Sequence, residues 1–270
     1  MTLPSIFLSH GSPMLPLTAS AARDFLAGLG NSLPRPKAIL VISAHWETDI
    51  PAVNAVAANE TIYDFYGFPR ELYELRYPAP GAPDLALAVA ARLQAAGLPV
   101  GVDRARGLDH GAWVPLLLMY PQAAIPVMQL SIQTEQGPAH HLALGRALAP
   151  LRDEGVLIIG SGSFTHNLGE FRKRRPEIDD PAPSWVVDFA DWVHSAAIEG
   201  RIDDLVNYRR LAPHARDNHP TDEHFLPLFA ALGAAGENAR VERLHNSANY
   251  GVLRMDVYAF HAERRADVAA

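Results

Sequence analysis

Three short runs along the chain are apolar without interruption, Ile6-Phe7-Leu8 after Ser5, Ala38-Ile39-Leu40-Val41-Ile42 and Val156-Leu157-Ile158-Ile159, and a fourth, Ile125 to Ile132, is apolar apart from Gln129 and Ser131. Runs of this length, rich in β-branched residues and without polar alternation, predict strands buried on both faces. Val53 to Ala57, Leu98 to Asp103, Arg240 to Leu244 and Val252 to Phe260 read as further strands. Between them the apolar positions shift to helical spacing. Helices are expected from about Ala19 to Leu29, closed by Gly30, and from Pro83 to Ala96, with Gly97 as the stop. Others are expected over Val114 to Met119, Pro138 to Leu151 and Ser184 to Glu199, with a short helix and its exit over Arg201 to Leu211. This alternation predicts an α/β fold: a single domain with a central, mostly parallel or mixed β-sheet and helices on both faces. The domain should occupy 1–262, with 263–270 as a frayed tail. No internal repeat or linker divides the chain.

Polar residues matter most where the buried strands end. The first ends in Ser9-His10-Gly11, the second in Ser43-Ala44-His45, and the last in Gly160-Ser161-Gly162-Ser163 followed by His166. Ligands of open α/β sheets collect beyond the carboxyl ends of such strands. One histidine there is commonly a packed or capping residue. Three are hard to explain as packing and point to a shared metal or acid–base site. The Gly/Ser stretch lacks the lysine of a phosphate-binding loop and reads as a flexible turn that lets His166 reach inward.

Two other stretches add candidates. Asn59 to Gly81 is aromatic and stiffened by proline, carrying Tyr63, Tyr66, Phe68, Tyr73 and Tyr77. It is either a loop that packs its own rings or a wall over an aromatic substrate. His110 and Trp113 follow, in Leu108-Asp109-His110-Gly111-Ala112-Trp113. The second dense stretch is His219-Pro220-Thr221-Asp222-Glu223-His224. With Thr221 as helix cap, His224 falls in the first turn and is the candidate third ligand. His219 and Glu223 would orient it. His140, His141 and His194 read as surface or structural residues.

Composition narrows the chemistry. The chain of 270 residues has no cysteine, so thiolate sites and disulfides are excluded, and metal ligands must come from its twelve His or from Asp and Glu. Net charge is −7, and the longest basic run, Arg172-Lys173-Arg174-Arg175, reads as a solvated loop. Nucleic acid is therefore not the expected partner. No segment has the length of a membrane span, so no membrane partner is expected and a soluble, cytoplasmic protein is the default. HExxH and GxSxG segments are absent, which argues against thermolysin-like peptidases and nucleophile-elbow hydrolases.

The residues also match a family. The chain resembles the DOPA-dioxygenase-like branch of the class III extradiol ring-cleaving dioxygenases, related to the protocatechuate 4,5-dioxygenase β subunit. The resemblance spans nearly the whole chain. It rests on Ser9 to Pro13, Ser43 to Trp46, Tyr63 to Pro69, Leu108 to Trp113, Gly160-Ser161-Gly162 with Thr165-His166-Asn167, and His219-Pro220-Thr221 with Glu223-His224. It implies an oxidoreductase with one divalent metal ion, Fe(II) or Zn(II), held by His10, His45 and His224. His224 stands where the wider class III group has glutamate. His166 matches the acid–base histidine, near enough to be a further ligand, and His110 matches a second pocket histidine. Tyr63, Tyr66, Phe68 and Trp113 are the candidate substrate contacts. The implied substrates are a small aromatic diol and O2, with the ring opening next to the diol. A zinc hydrolase on the same scaffold and a non-catalytic metal-binding relative are the alternatives. The catechol and the oligomeric state, including a homo-oligomer, stay open.

Overall fold

A computed structural model describes residues 2–263. The N-terminal half runs β1 (Ser5–Ser9), α1 (Ala21–Ser32), β2 (Ala38–Glu47), β3 (Ala52–Asn54), α2 (Arg70–Glu74), α3 (Pro83–Ala95), β4 (Gly101–Asp103), α4 (His110–Met119) and β5 (Val127–Ile132). It continues with α5 (Gly137–Leu148), β6 (Val156–Gly162), α6 (Leu168–Arg174), α7 (Ser184–Ile198), α8 (Ile202–Val206), α9 (Tyr208–Leu211), α10 (Ala215–Asn218) and α11 (Leu226–Ala234). It closes with β7 (Arg240–His245), β8 (Ala248–Asn249), β9 (Leu253–Arg254) and β10 (Val257–His261). The tail expected to fray lies outside the described residues apart from Glu263.

Eight strands form one mixed sheet in the order β4-β3-β5-β2-β6-β1-β10-β7. The four central strands, β5, β2, β6 and β1, are mutually parallel. Antiparallel β10 and β7 extend one edge. The uninterrupted apolar runs follow from this placement. In β2, Ile39 and Val41 pack with residues of α1 and α4 on one face, and Leu40 and Ile42 with residues of α3, α5, α7 and α11 on the other. Burial on both faces leaves no position in the strand where water would favour a polar side chain.

Several expectations need correcting. β2 runs five residues past Ile42, and its pairing with β5 is irregular between Ile42 and Glu47. His45 sits in this bulge, and such an irregularity re-aims a side chain at a sheet rim. α1 passes through Gly30, which is buried so close to the backbone of Met119 that a Cβ would strike it. Arg201 to Leu211 is two short helices. The Gly160-Ser161-Gly162 stretch is not a flexible turn but the end of β6. A Cβ on Gly160 would meet the Pro227 carbonyl, and one on Gly162 the His224 carbonyl. Its glycines thus admit the turn that carries His224. Thr221 is not a cap: α11 starts at Leu226, and the Asp222 carbonyl accepts from Phe225 and Leu226 N–H. His141 is not a surface residue. It is fully buried, donating through Nδ1 to the Gly137 carbonyl at 2.7 Å and accepting at Nε2 from Gln133 N–H at 3.2 Å. The basic run lies largely in α6, whose cap is the Asn167 side chain.

Candidate metal centre and substrate cavity

Five imidazoles meet at the carboxyl-end rim of the parallel strands. His10 follows β1, His45 lies in the β2 bulge, His110 opens α4, His166 follows β6, and His224 precedes α11. The Nε2 atoms of His10 and His45 are 3.0 Å apart, and those of His45 and His224 3.3 Å.

Outer nitrogens fix the tautomers of His10 and His224. His10 Nδ1 is 3.1 Å from Ser161 Oγ, which donates its own proton to the Gly111 carbonyl. Nδ1 of His10 therefore carries hydrogen, and its Nε2 presents a lone pair. His224 Nδ1 lies 2.9 Å from Glu223 Oε1, with the same consequence. His45 Nδ1 faces Asp64 Oδ2 at 3.7 Å. Burial, followed by mutual repulsion among the rings, holds His10 and His224 well below the ordinary histidine range, and His45 is depressed in the same way. The three rings are neutral at pH 7.

Neutral donors whose lone pairs converge at about 3 Å repel one another unless a cation sits among them. Imidazole–metal bonds of roughly 2.0–2.1 Å space donor atoms at such distances. The donor set therefore fits one divalent ion, and the hydrogen-bonded outer nitrogens of His10 and His224 fit the pattern of oriented metal-binding histidines. Ligand atoms of His10, His45 and His110 lie within 4.8 Å of one another, as do those of His166, Glu223 and His224. The Nε2 contacts through His45 join these two groups. His10, His45 and His224 are the set best aimed to hold an ion, with His110 and His166 flanking it.

The flanking rings differ. His110 is clamped by Asp64, whose Oδ2 lies 2.8 Å from Nδ1 and whose Oδ1 accepts the His110 backbone N–H at 2.9 Å. His166 stacks on His224, with centroids 3.5 Å apart and planes 13° from parallel. Burial pushes its pKa down to about 4.

All five rings line one cavity of about 520 Å³, together with Phe65, Tyr66, Phe68, Phe171, Arg172 and Tyr250 among others. Of the aromatic candidates, Tyr66 and Phe68 reach the cavity. Tyr63 and Trp113 do not: Tyr63 donates to the Leu75 carbonyl, and the fully buried Trp113 donates to the Ile62 carbonyl. Both back Phe65, with ring centroids 6.0 and 6.3 Å away. The loop thus packs its own rings behind and presents a wall in front. Glu223 touches His224 as expected. His219 instead bonds the Phe164 carbonyl through Nε2 at 3.0 Å and lies against Phe225, on the far side of the turn. Sequence reasoning missed Asp64, Phe65, Ser161 and Arg172 as parts of the site.

A cluster of converging imidazoles at the rim of a mixed α/β sheet, opening into a cavity walled in part by aromatic rings, fits a metal-dependent enzyme acting on an aromatic molecule. The family described as the catalytic LigB subunit of aromatic ring-opening dioxygenase matches residues 4–260. The chain belongs to this family, and its activity is that of a ring-cleaving oxidoreductase. A 4,5-DOPA dioxygenase extradiol of Beta vulgaris is 48% identical over 95% of this chain and 96% of its own length. The protein of that name from Escherichia coli K12 is 43% identical over 86% and 85%. A crystal structure of an uncharacterized Escherichia coli K12 protein superposes with a TM-score of 0.76 at 35% identity, covering 95% of this chain and 99% of that one. The family match decides for ring opening over the hydrolase and the non-catalytic alternatives. No helix among the described residues is long and apolar enough to cross a membrane.

Proposed function

We propose that this protein opens a DOPA-like catechol next to its diol, using both atoms of O2 and one Fe(II) held by His10, His45 and His224. The observation that carries the reading is the convergence of three Nε2 lone pairs under an aromatic cavity. Bound Fe(II) supplies the electron transfer that joins catechol to dioxygen, whereas Zn(II), without an accessible second oxidation state, supplies charge alone.

The chain's own groups do the rest. Phe65 and Phe68, edge to face at 5.3 Å, form a rigid apolar wall against which a flat ring can lie. His166 is neutral at pH 7, so its lone pair can take a phenolic proton as the catechol binds. Stacking on His224 holds it beside the ligand cluster. His110 is kept in one orientation by two hydrogen bonds from its own residue to Asp64, so its Nε2 is free to contact a substrate oxygen. Names of the relatives, 4,5-DOPA dioxygenase extradiol, support DOPA as the first substrate to try.

The test is oxygen uptake by protein loaded with Fe(II) without air and then given L-DOPA and O2. One O2 consumed per catechol, with a yellow ring-opened product, is expected. Iron-loaded protein that consumes no oxygen with any catechol would falsify the reading, as would equal activity with zinc in place of iron.

A further inference from the structure

We propose that Arg172 makes the mouth of the cavity an anion subsite, which selects catechols whose side chain ends in a carboxylate. This deepens the ring-opening reading and rests on it.

α6 has two unlike faces. Leu168, Phe171 and Arg172, spaced i, i+3 and i+4, line the cavity. Glu170, Lys173 and Arg174, with the same spacing, form the outer face. There Glu170 accepts from Lys173 Nζ at 3.4 Å and from Arg174 Nε at 3.0 Å. The outer cations therefore have their counter-charge on the helix itself. Arg172 has no ion-pair partner among the described residues. It is also the one Lys, Arg, Asp or Glu among the described residues that line the cavity. The other linings are aliphatic, aromatic, small polar or imidazole.

A helix that needed only solubility could carry all its charge outside. This one also carries a permanent cation, exposed to solvent, among the residues that line the cavity. The Asn167 side chain caps α6 by accepting from Glu170 N–H at 2.8 Å, and Asn167 follows His166 directly. The cap sets the start of α6, and with it the backbone position of Arg172, directly after the imidazole expected to handle the phenolic proton. Phe171 rests edge-on against Tyr250 at 5.1 Å, which holds the cavity face of α6 in place. With its diol at the imidazoles, a catechol directs its substituent away from them toward the mouth. A guanidinium there presents a planar fork matched to a carboxylate.

The test compares ligands that differ only in charge. Binding of 3-(3,4-dihydroxyphenyl)propionate and of its amide is measured by calorimetry without oxygen on the metal-loaded protein. 3-Phenylpropionate and its amide serve as a second pair without the diol. Wild-type protein should prefer each acid over its amide by about two- to fivefold, the size of one solvent-exposed charge-assisted contact. The preference should collapse to about one in Arg172→Gln, survive in part in Arg172→Lys, and shrink as salt is raised from 50 to 500 mM. A preference unchanged in Arg172→Gln overturns the proposal, and so does its absence in the wild type. If Arg172→Gln does not fold, the Lys variant and the salt series decide. Diol ligands that bind no tighter than their diol-free partners would instead overturn the ring-opening reading, while the acid–amide ratio still decides Arg172.

Discussion

Two buried histidine environments in this molecule differ in what faces the second ring nitrogen. His141, at the start of α5, spends both nitrogens on backbone, donating to Gly137 and accepting from Gln133. His10, in the rim cluster, spends Nδ1 on Ser161, while its Nε2 meets the Nε2 of His45. Burial is similar, at 0% and 2% exposure, and both rings are kept neutral. Burial and neutrality therefore do not make a ligand. A structural histidine closes its hydrogen bonds within the protein, whereas a ligand histidine leaves one lone pair aimed at others like it.

The sharpest way to break this contrast is to remove a converging lone pair. His224→Ala should abolish both metal retention and oxygen uptake, read by elemental analysis and an oxygen electrode. The His141→Gln variant, assayed beside it, should keep both. Next in size is His166→Gln, which should retain the metal yet lose about 10²–10⁴-fold in kcat, as removal of a proton acceptor does. Loss of metal in that variant would move His166 into the ligand set.

The third prediction concerns pH. Burial lowers His141 from 6.5 to about 4 in the folded chain. Between those values the unfolded state binds the proton and the folded state does not, so stability falls as pH drops. The stability is whole above pH 6.5, declines toward pH 4 and levels off below it. A shift of this size corresponds to roughly 3 kcal/mol. Urea melts of metal-free protein at pH 7.5 and pH 4.5 should lose less stability in His141→Gln than in wild type. Equal losses would show that His141 is not a contributor. The smallest effect is expected at the outer nitrogens. Glu223→Ala removes the acceptor at His224 Nδ1 and should weaken metal affinity about 10–100-fold, measured by competition with a chelator.

The sequence made some of this legible and hid the rest for physical reasons. The central strands could be read because two-sided burial leaves unbroken apolar runs, as in Ala38 to Ile42. His10 and His45 were visible because they end such runs, and His166 and His224 because each sits in a dense polar segment or beside glycines. The bulge that aims His45 was not visible, since it depends on β5 pairing. Asp64 was hidden because its partner His110 is 46 residues away and the ring-rich loop around it drew attention to the aromatics. The basic run was rightly read as solvated, but that Arg172 borders the cavity was hidden, because four adjacent basic residues have the signature of a surface loop. Only the seven-residue helix separates its cavity face from its outer face. His141 was misread because adjacent histidines in a first helical turn resemble surface, and the buried Gln133 N–H that it accepts from comes from the preceding turn.

The central claim is that three Nε2 atoms share one ion, and a crystal structure of protein loaded with Fe(II) without air tests it most directly. Anomalous scattering at the iron edge should place one ion within about 2.0–2.2 Å of Nε2 of His10, His45 and His224. An ion bound elsewhere, or the three imidazoles arranged around no ion in iron-loaded protein, would contradict the account.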